Sequence, residues 1–298
     1  MSLCSMVRSW GWWWQHYDAF GAWSPSVLYA SRMQLVALLH CCRCADAFDF
    51  GVFISSCCWG LPLRAADTEM LTKMWIPATL WMRANHHWSH SVGAFYDSGF
   101  DTALVVSYDG GGNDGTFVCW HAALHEVSSG PPLLRLSRIA LPGTEPNLGD
   151  RYEQIGIQFI ADVNGSNPNS VAGKLMAFAA LGVARPEWFP AMSDWYFNRR
   201  TISENPWVAV NESQPAKDIA ATAQAVLEAI ALELVGGSMG SIRDSALGRP
   251  DGVVLTGGVA LNVILNERIH RLLRLPIHVP TAPNDGTAYC FAPCCNCR

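Results

Sequence analysis

The chain has 298 residues, 50% of them hydrophobic and 15% charged, with a formal net charge of −5. Such a content supports a packed core, while the mild negative charge leaves no basic footprint for nucleic acid or an anionic membrane surface. No uninterrupted apolar run reaches the roughly 20 residues that cross a bilayer, and Trp10, Trp12, Trp13 and Trp14 followed by Gln15 and His16 do not make a signal peptide's smooth apolar segment, so a soluble cytoplasmic protein is expected.

Residues 1–70 are rich in Trp and Cys and show no sustained strand alternation. One helix is expected over "SPSVLYASRMQLVALLHC", with Ser24 as cap and Pro25 in the first turn. Ten of the eleven cysteines lie before residue 59 or after residue 289. Cys41 with Cys44 and Cys294 with Cys297 have C-x-x-C spacing, but "CCRC" and "CCNC" do not match a clean zinc-ribbon knuckle.

The next segment, "NHHWSHSVGAFY", puts three of the nine histidines within five residues. On a helix, His86 and His90 lie one above the other, about 6 Å between Cβ atoms, close enough to share one ion. The glutamate of H-E-x-x-H is absent, so metalloprotease chemistry lacks its general base. Two imidazoles alone make a poor site, and further ligands, carboxylates by type, should come from distant parts of the chain.

"TALVVSYDGGGNDGTFVCWHA" reads as strand, glycine turn and strand, a hairpin. "SVAGKLMAFAALG" has helical spacing with Gly182 as a C-cap signal. "KDIAATAQAVLEAIALELVGG" is a helix expected to end at Gly236 and Gly237, and "DGVVLTGGVALNVILNERIHRLL" follows as strand, glycine turn and helix. "LPIHVPTAPND" adds a short strand. Strands alternating with helices indicate an α/β domain.

Both glycine turns suit phosphate. Gly110, Gly111 and Gly112, followed by Asn113, can converge backbone N–H groups into an oxyanion-sized concavity, and Asp109 at the strand end can take a metal; an Asn-Asp-Gly hairpin turn explains the same residues structurally. Gly257 and Gly258 join a strand to a helix, the setting for a nucleotide on a turn and helix N-terminus, although neither G-x-G-x-x-G nor the P-loop pattern is present. His121 and His125 in "HAALH" repeat the four-residue spacing and are expected to be surface or core histidines.

Taken in order, "HHWSHSVGAFY", "VVSYDGGG", "LGDRYEQIGIQF", "VAGKLMAFAALG", "GGVALN" and "PNDGTA" resemble the six motifs of the carbamoyltransferase family that includes the nodulation and antibiotic O-carbamoyltransferases, and more distantly the tRNA threonylcarbamoyladenosine-synthesis proteins. The resemblance implies an actin-like ATPase core, related to sugar kinases and ribonuclease H-like folds. It implies that ATP and carbamoyl phosphate form carbamoyl adenylate, from which the carbamoyl group passes to a hydroxyl of a small molecule. It also implies a metal, Fe(II) by type, on His86, His90, Asp109 and Asp285, with nucleotide at Gly110, Gly111, Gly112, Asn113, Lys174, Gly257, Gly258 and Asn262. His87 has no ligand role in that scheme and is the candidate for acid/base or phosphate-binding work, packing being the alternative.

The matching core spans residues 71–290, between an atypical segment at 1–70 and a Cys-rich tail at 291–298. The family's early His-Asp pair, its acidic-basic stretch and its large C-terminal domain have no recognisable counterpart, so the core is expected to be incomplete, and to bind before it catalyses. The alternative expectation is an inert ATP- or metal-binding module, or a threonylcarbamoyladenosine-synthesis relative.

Overall fold

The computed structural model describes residues 48–55, 70, 73, 78–129, 132–141, 143–159, 171–201, 204–207 and 213–284. The helix expected after Ser24, both C-x-x-C spacings and Asp285 lie outside the described residues. In chain order the elements are β1 (Phe48–Ser55), β2 (Ala78–Asn85), α1 (His86–Ser98), β3 (Thr102–Gly112), β4 (Gly115–His125), β5 (Leu133–Ile139), α2 (Leu148–Phe159), α3 (Val171–Ala179), α4 (Phe189–Tyr196), α5 (Ser213–Arg243), β6 (Gly252–Thr256), α6 (Val263–Leu273) and β7 (Ile277–His278). Short 3-10 turns occupy Pro186–Trp188 and Gly258–Leu261.

Five strands form one mixed sheet in the order β5-β4-β3-β6-β7. β3, β4 and β5 make an antiparallel meander, and β6 and β7 run parallel to β3. This α/β arrangement is the one implied by the actin-like, ribonuclease H-like expectation. β3 lies at the centre and is covered on both faces, which is why Ala103, Leu104, Val105 and Val106 are all apolar and all buried. Leu104, Val106 and Tyr108 join the larger core with residues of α2, α3, α5 and α6, such as Ile155, Leu175, Leu227 and Leu265. Ala103 and Val105 face the other way, onto Ala94 and Phe95 of α1. The period of two along a strand therefore directs Ser107, and after it Asp109, toward the helix that carries the histidines.

Several elements depart from the sequence expectation. β1 falls inside the segment read as lacking strands and pairs in parallel with β2, Phe48 opposite Ala78 and Ser55 opposite Asn85. β2, β5, α2 and α4 have no counterpart among the elements expected from the sequence. Helix α5 does not end at Gly236 and Gly237 but continues to Arg243. A Cβ at Gly236 would lie 3.7 Å from Leu272 Cδ2, so this glycine sits at the crossing with α6 instead of at a terminus. Gly182 likewise is not a left-handed cap. Its ideal Cβ would lie 2.0 Å from the Lys217 carbonyl oxygen, and glycine is required there for the chain to pass α5.

Within α5, Pro215–Arg243 is long and apolar enough by length and composition to cross a membrane, but 72% of its most apolar window is buried inside this fold. Ile219, Ala223, Leu227, Ile230 and Leu234 from this helix lie in the larger core.

Candidate metal centre

The site lies where β3 and β6, adjacent and parallel, reach their C-terminal ends, the position at which open α/β sheets ordinarily hold ligands. α1 supplies two imidazoles there and β3 one carboxylate. Among the described residues, His86, His90 and Asp109 form a group able to offer three ligand atoms to one ion. His90 Nε2 is 3.2 Å from His86 Nε2, and Asp109 Oδ2 is 3.5 Å from His86 Nε2 and 3.3 Å from His90 Nε2. Ligand atoms about 2.1 Å from a tetrahedral or octahedral ion stand roughly 3.0–3.4 Å apart, so all three edges match a shared ion within about 0.1 Å. Both histidines are buried, and Asp109 is partly exposed. Asp109 Oδ2 accepts no hydrogen bond, while Oδ1 accepts one from the Gly110 N–H at 2.7 Å. Burial works to raise the Asp109 pKa, but the facing His86 and His90 outweigh it and hold the carboxyl well below its ordinary value. Two imidazoles and a carboxylate fit a divalent cation, with coordination positions left over for further ligands.

Glycines make this convergence possible. At Gly112 a Cβ would lie 2.9 Å from the Cδ2 atoms of both His86 and His87, so a side chain would push α1 off the strand. Gly257 has φ +89°, and its ideal Cβ would lie 2.3 Å from the Tyr108 carbonyl oxygen, where only glycine fits. Gly258 then faces the carboxylate itself, with 2.9 Å from its ideal Cβ to Asp109 Oδ1. The two glycine turns thus meet at Asp109. The Gly257 N–H also donates to the Pro283 carbonyl at 2.6 Å and Thr256 Oγ1 to the same oxygen at 3.2 Å, which ties residue 283 to the same strand end.

The N-terminus of α2 closes the floor. Gly149 packs so near that its ideal Cβ would lie 2.6 Å from the Gly110 nitrogen, and the Asp150 nitrogen lies 3.6 Å from the Cβ position of Gly110. Gly149 and Asp150 were not among the expected site residues, although "LGD" stands in a quoted motif. Asp150 accepts from Gln154 Nε2 at 2.8 Å and from Asn147 Nδ2 at 3.3 Å.

Two expected site residues fasten the fold, and a third lies on an exposed helix face. Asn262 caps α6 by accepting from the Leu265 N–H at 3.1 Å, and its amide pairs with that of Gln224 at 2.9 and 3.1 Å. Asn113 accepts from the His86 N–H at 3.0 Å and donates to Asn85 Oδ1 at 2.8 Å. Lys174 lies on the exposed face of α3, a helix that packs on α2 and α5. The rival pair also separates: His121 and His125 are on strand β4, where four residues span about 13 Å, with His121 buried and His125 exposed.

His87, the candidate acid or base, belongs to the framework. Its ring is fully buried, with Nδ1 2.8 Å from Ser107 Oγ and Nε2 2.9 Å from the Gly115 carbonyl oxygen. A carbonyl only accepts, so Nε2 carries the hydrogen and Nδ1 accepts from the serine hydroxyl. Burial first, then the neighbouring His86, lowers the His87 pKa from 6.5 to about 4. The folded ring is neutral, whereas the unfolded chain takes up a proton below pH 6.5. Stability is therefore fully present above pH 6.5 and is expected to fall, by up to about 3 kcal/mol from this residue, as pH drops toward 4. Denaturant midpoints of the chelator-treated protein measure this, and the slope should flatten in His87→Gln. An equal slope in that variant would assign the acid sensitivity to other groups.

No family model matches the chain. Among solved structures, component A of the (R)-2-hydroxyglutaryl-CoA dehydratase of Acidaminococcus fermentans is 13% identical, with 84% of this chain and 77% of that one covered and a TM-score of 0.36. The activator of the 2-hydroxyisocaproyl-CoA dehydratase from Clostridium difficile, with bound ADPNP, is 14% identical over 77% of this chain and 79% of its own, at a TM-score of 0.38. HypF from T. kodakarensis is 15% identical over 75% of this chain but only 37% of its own, at 0.40.

Proposed function

We propose that the chain is the actin-like core of an ATP-dependent carbamoyltransferase. In this reading a divalent ion on His86, His90 and Asp109, with Asp285 as fourth ligand, meets nucleotide phosphates at the turns of Gly110–Gly112 and Gly257–Gly258. The observation that carries it is the convergence at Asp109: two imidazoles reach the carboxylate from α1 while Gly258 leaves space beside its other oxygen. The order of the six motifs supports the reading independently. Asp109 and Asp150 would repel phosphate by themselves, and a bound cation reverses the local sign. When bound, such an ion, Fe(II) or one of similar preference, offsets negative charge on a transferring phosphoryl or carbamoyl oxygen.

The protein's own groups bind and orient. The glycine turns admit the phosphates close to backbone N–H groups, and the first turn of α2 faces them with the positive end of its dipole. Carbamoyl phosphate loses inorganic phosphate to give carbamate, the carbamate oxygen displaces pyrophosphate from the ATP α-phosphate to give carbamoyl adenylate, and a small-molecule hydroxyl takes the carbamoyl group with release of AMP and the hydroxyl proton. The test is release of pyrophosphate from ATP by the purified protein with Fe(II) or Mn(II). Release that depends on carbamoyl phosphate supports the reading. Metal-dependent ATP binding without pyrophosphate release would leave a binding module, and no ATP binding would remove both.

A further inference from the structure

The N-terminus of α1 is capped by a different part of the chain. A helix leaves its first N–H groups without intrahelical partners, and the residue before it ordinarily meets one of them. Asn85 holds that position with extended backbone but makes no side-chain cap bond, and the first turn of α1 contains no acidic residue. The tip of the β3–β4 hairpin takes over. The His86 N–H donates to Asn113 Oδ1 at 3.0 Å, the His87 N–H to Asp114 Oδ1 at 2.9 Å, and the Trp88 N–H to Asp114 Oδ2 at 3.2 Å. One carboxylate spans two N–H groups at the positive end of a helix dipole, where negative charge is favoured. The His87 ring adds a tie to the Gly115 carbonyl and another to Ser107, both on the same hairpin.

The tip is itself braced from β5. Arg138 Nη2 donates to the Asp114 carbonyl at 3.2 Å and to Glu145 Oε1 at 2.9 Å, while Glu145 Oε2 accepts from the Thr116 N–H at 3.2 Å. The same hairpin carries Asp109, five residues before Asp114. It therefore presents one ligand directly and fixes the helix that presents the other two. Each residue of a helix turns its side chain by about 100°, so the bonds at the first three N–H groups set both the rotation and the height of His86 and His90.

We infer that Asp114, assisted by Asn113, is a positioning residue for the metal-binding histidines, holding His86 and His90 at the distance from Asp109 that one ion requires. This rests on the metal reading above. It assigns Asn113 to the helix cap in place of nucleotide.

The experiment is titration of the metal-stripped protein with Co(II), followed by its visible absorption, together with backbone amide exchange. Asp114→Ala should weaken Co(II) about 10- to 100-fold, the usual effect of removing a group that orients a ligand. It should also speed exchange at His86, His87 and Trp88 in the metal-free protein while the amides of Leu104 to Val106 keep their rates. Asp114→Asn keeps one acceptor oxygen and should recover part of the affinity, and it serves for the comparison if the alanine variant exchanges faster everywhere. Wild-type binding with undiminished affinity in both variants would overturn this inference alone. Failure of the wild type to bind Co(II) would overturn the metal reading and this inference with it.

Discussion

Asp109→Asn should abolish tight Co(II) binding, with affinity lower by at least about 100-fold, more than the 10- to 100-fold loss typical of removing a group that only orients a ligand. The substitution keeps size and one acceptor oxygen but removes the charge that His86 and His90 hold ionised. A neutral amide is a far weaker ligand for a divalent ion, and it leaves two imidazoles as the remaining described donors. His90→Ala should do the same by removing a buried ring from the group. His125→Ala is the control, because this exposed strand residue lies on β4, apart from the group. Asp285→Ala asks whether a fourth ligand comes from the segment after Pro283, which is tied to Gly257. Equal Co(II) affinity in Asp109→Asn and the wild type would sink the metal centre.

The candidate ligands on α1 and β3 were legible in the sequence because each obeys a local rule. His86 and His90 stand at the helical period, and Asp109 closely follows the apolar run at 103–106, which with its glycine turn reads as a buried strand. What the sequence hides is the use of neighbouring residues by distant backbone. Asn113, Asp114 and Gly115 read as a hairpin turn and do form one, yet the side chains of Asn113 and Asp114 also cap a helix that begins 27 or 28 residues earlier. Asn262 sits beside a glycine pair in a motif and still spends its amide on Gln224, 38 residues away on α5. Local pattern cannot tell a side chain that binds ligand from one that fastens the loop presenting it. Gly236 shows the same limit for the fold, since its meaning depends on Leu272 of a helix still to come.

Gly258→Trp separates the loop that binds from the residue that fastens it. Gly257 cannot serve for this purpose, because its positive φ and the Tyr108 carbonyl 2.3 Å from its ideal Cβ would make any side chain a folding defect. Gly258 is different. Among the described residues, its ideal Cβ meets the tip of the Asp109 carboxylate alone, 2.9 Å to Oδ1 and 3.7 Å to Cγ, so a side chain there shifts that flexible tip and extends into the space between the two glycine turns. An indole in that space would occupy the place given to phosphates, and ATP affinity in the presence of Mn(II) should fall by at least about 100-fold, or about 2.7 kcal/mol. Asn262→Ala should behave in the opposite way. Losing a cap and a buried amide pair should cost about 1–2 kcal/mol of stability, while ATP affinity of the folded fraction stays near that of the wild type. Calorimetric titration and denaturant midpoints on both variants decide the matter. If Gly258→Trp binds ATP as the wild type does while remaining folded, the nucleotide does not lie between the glycine turns.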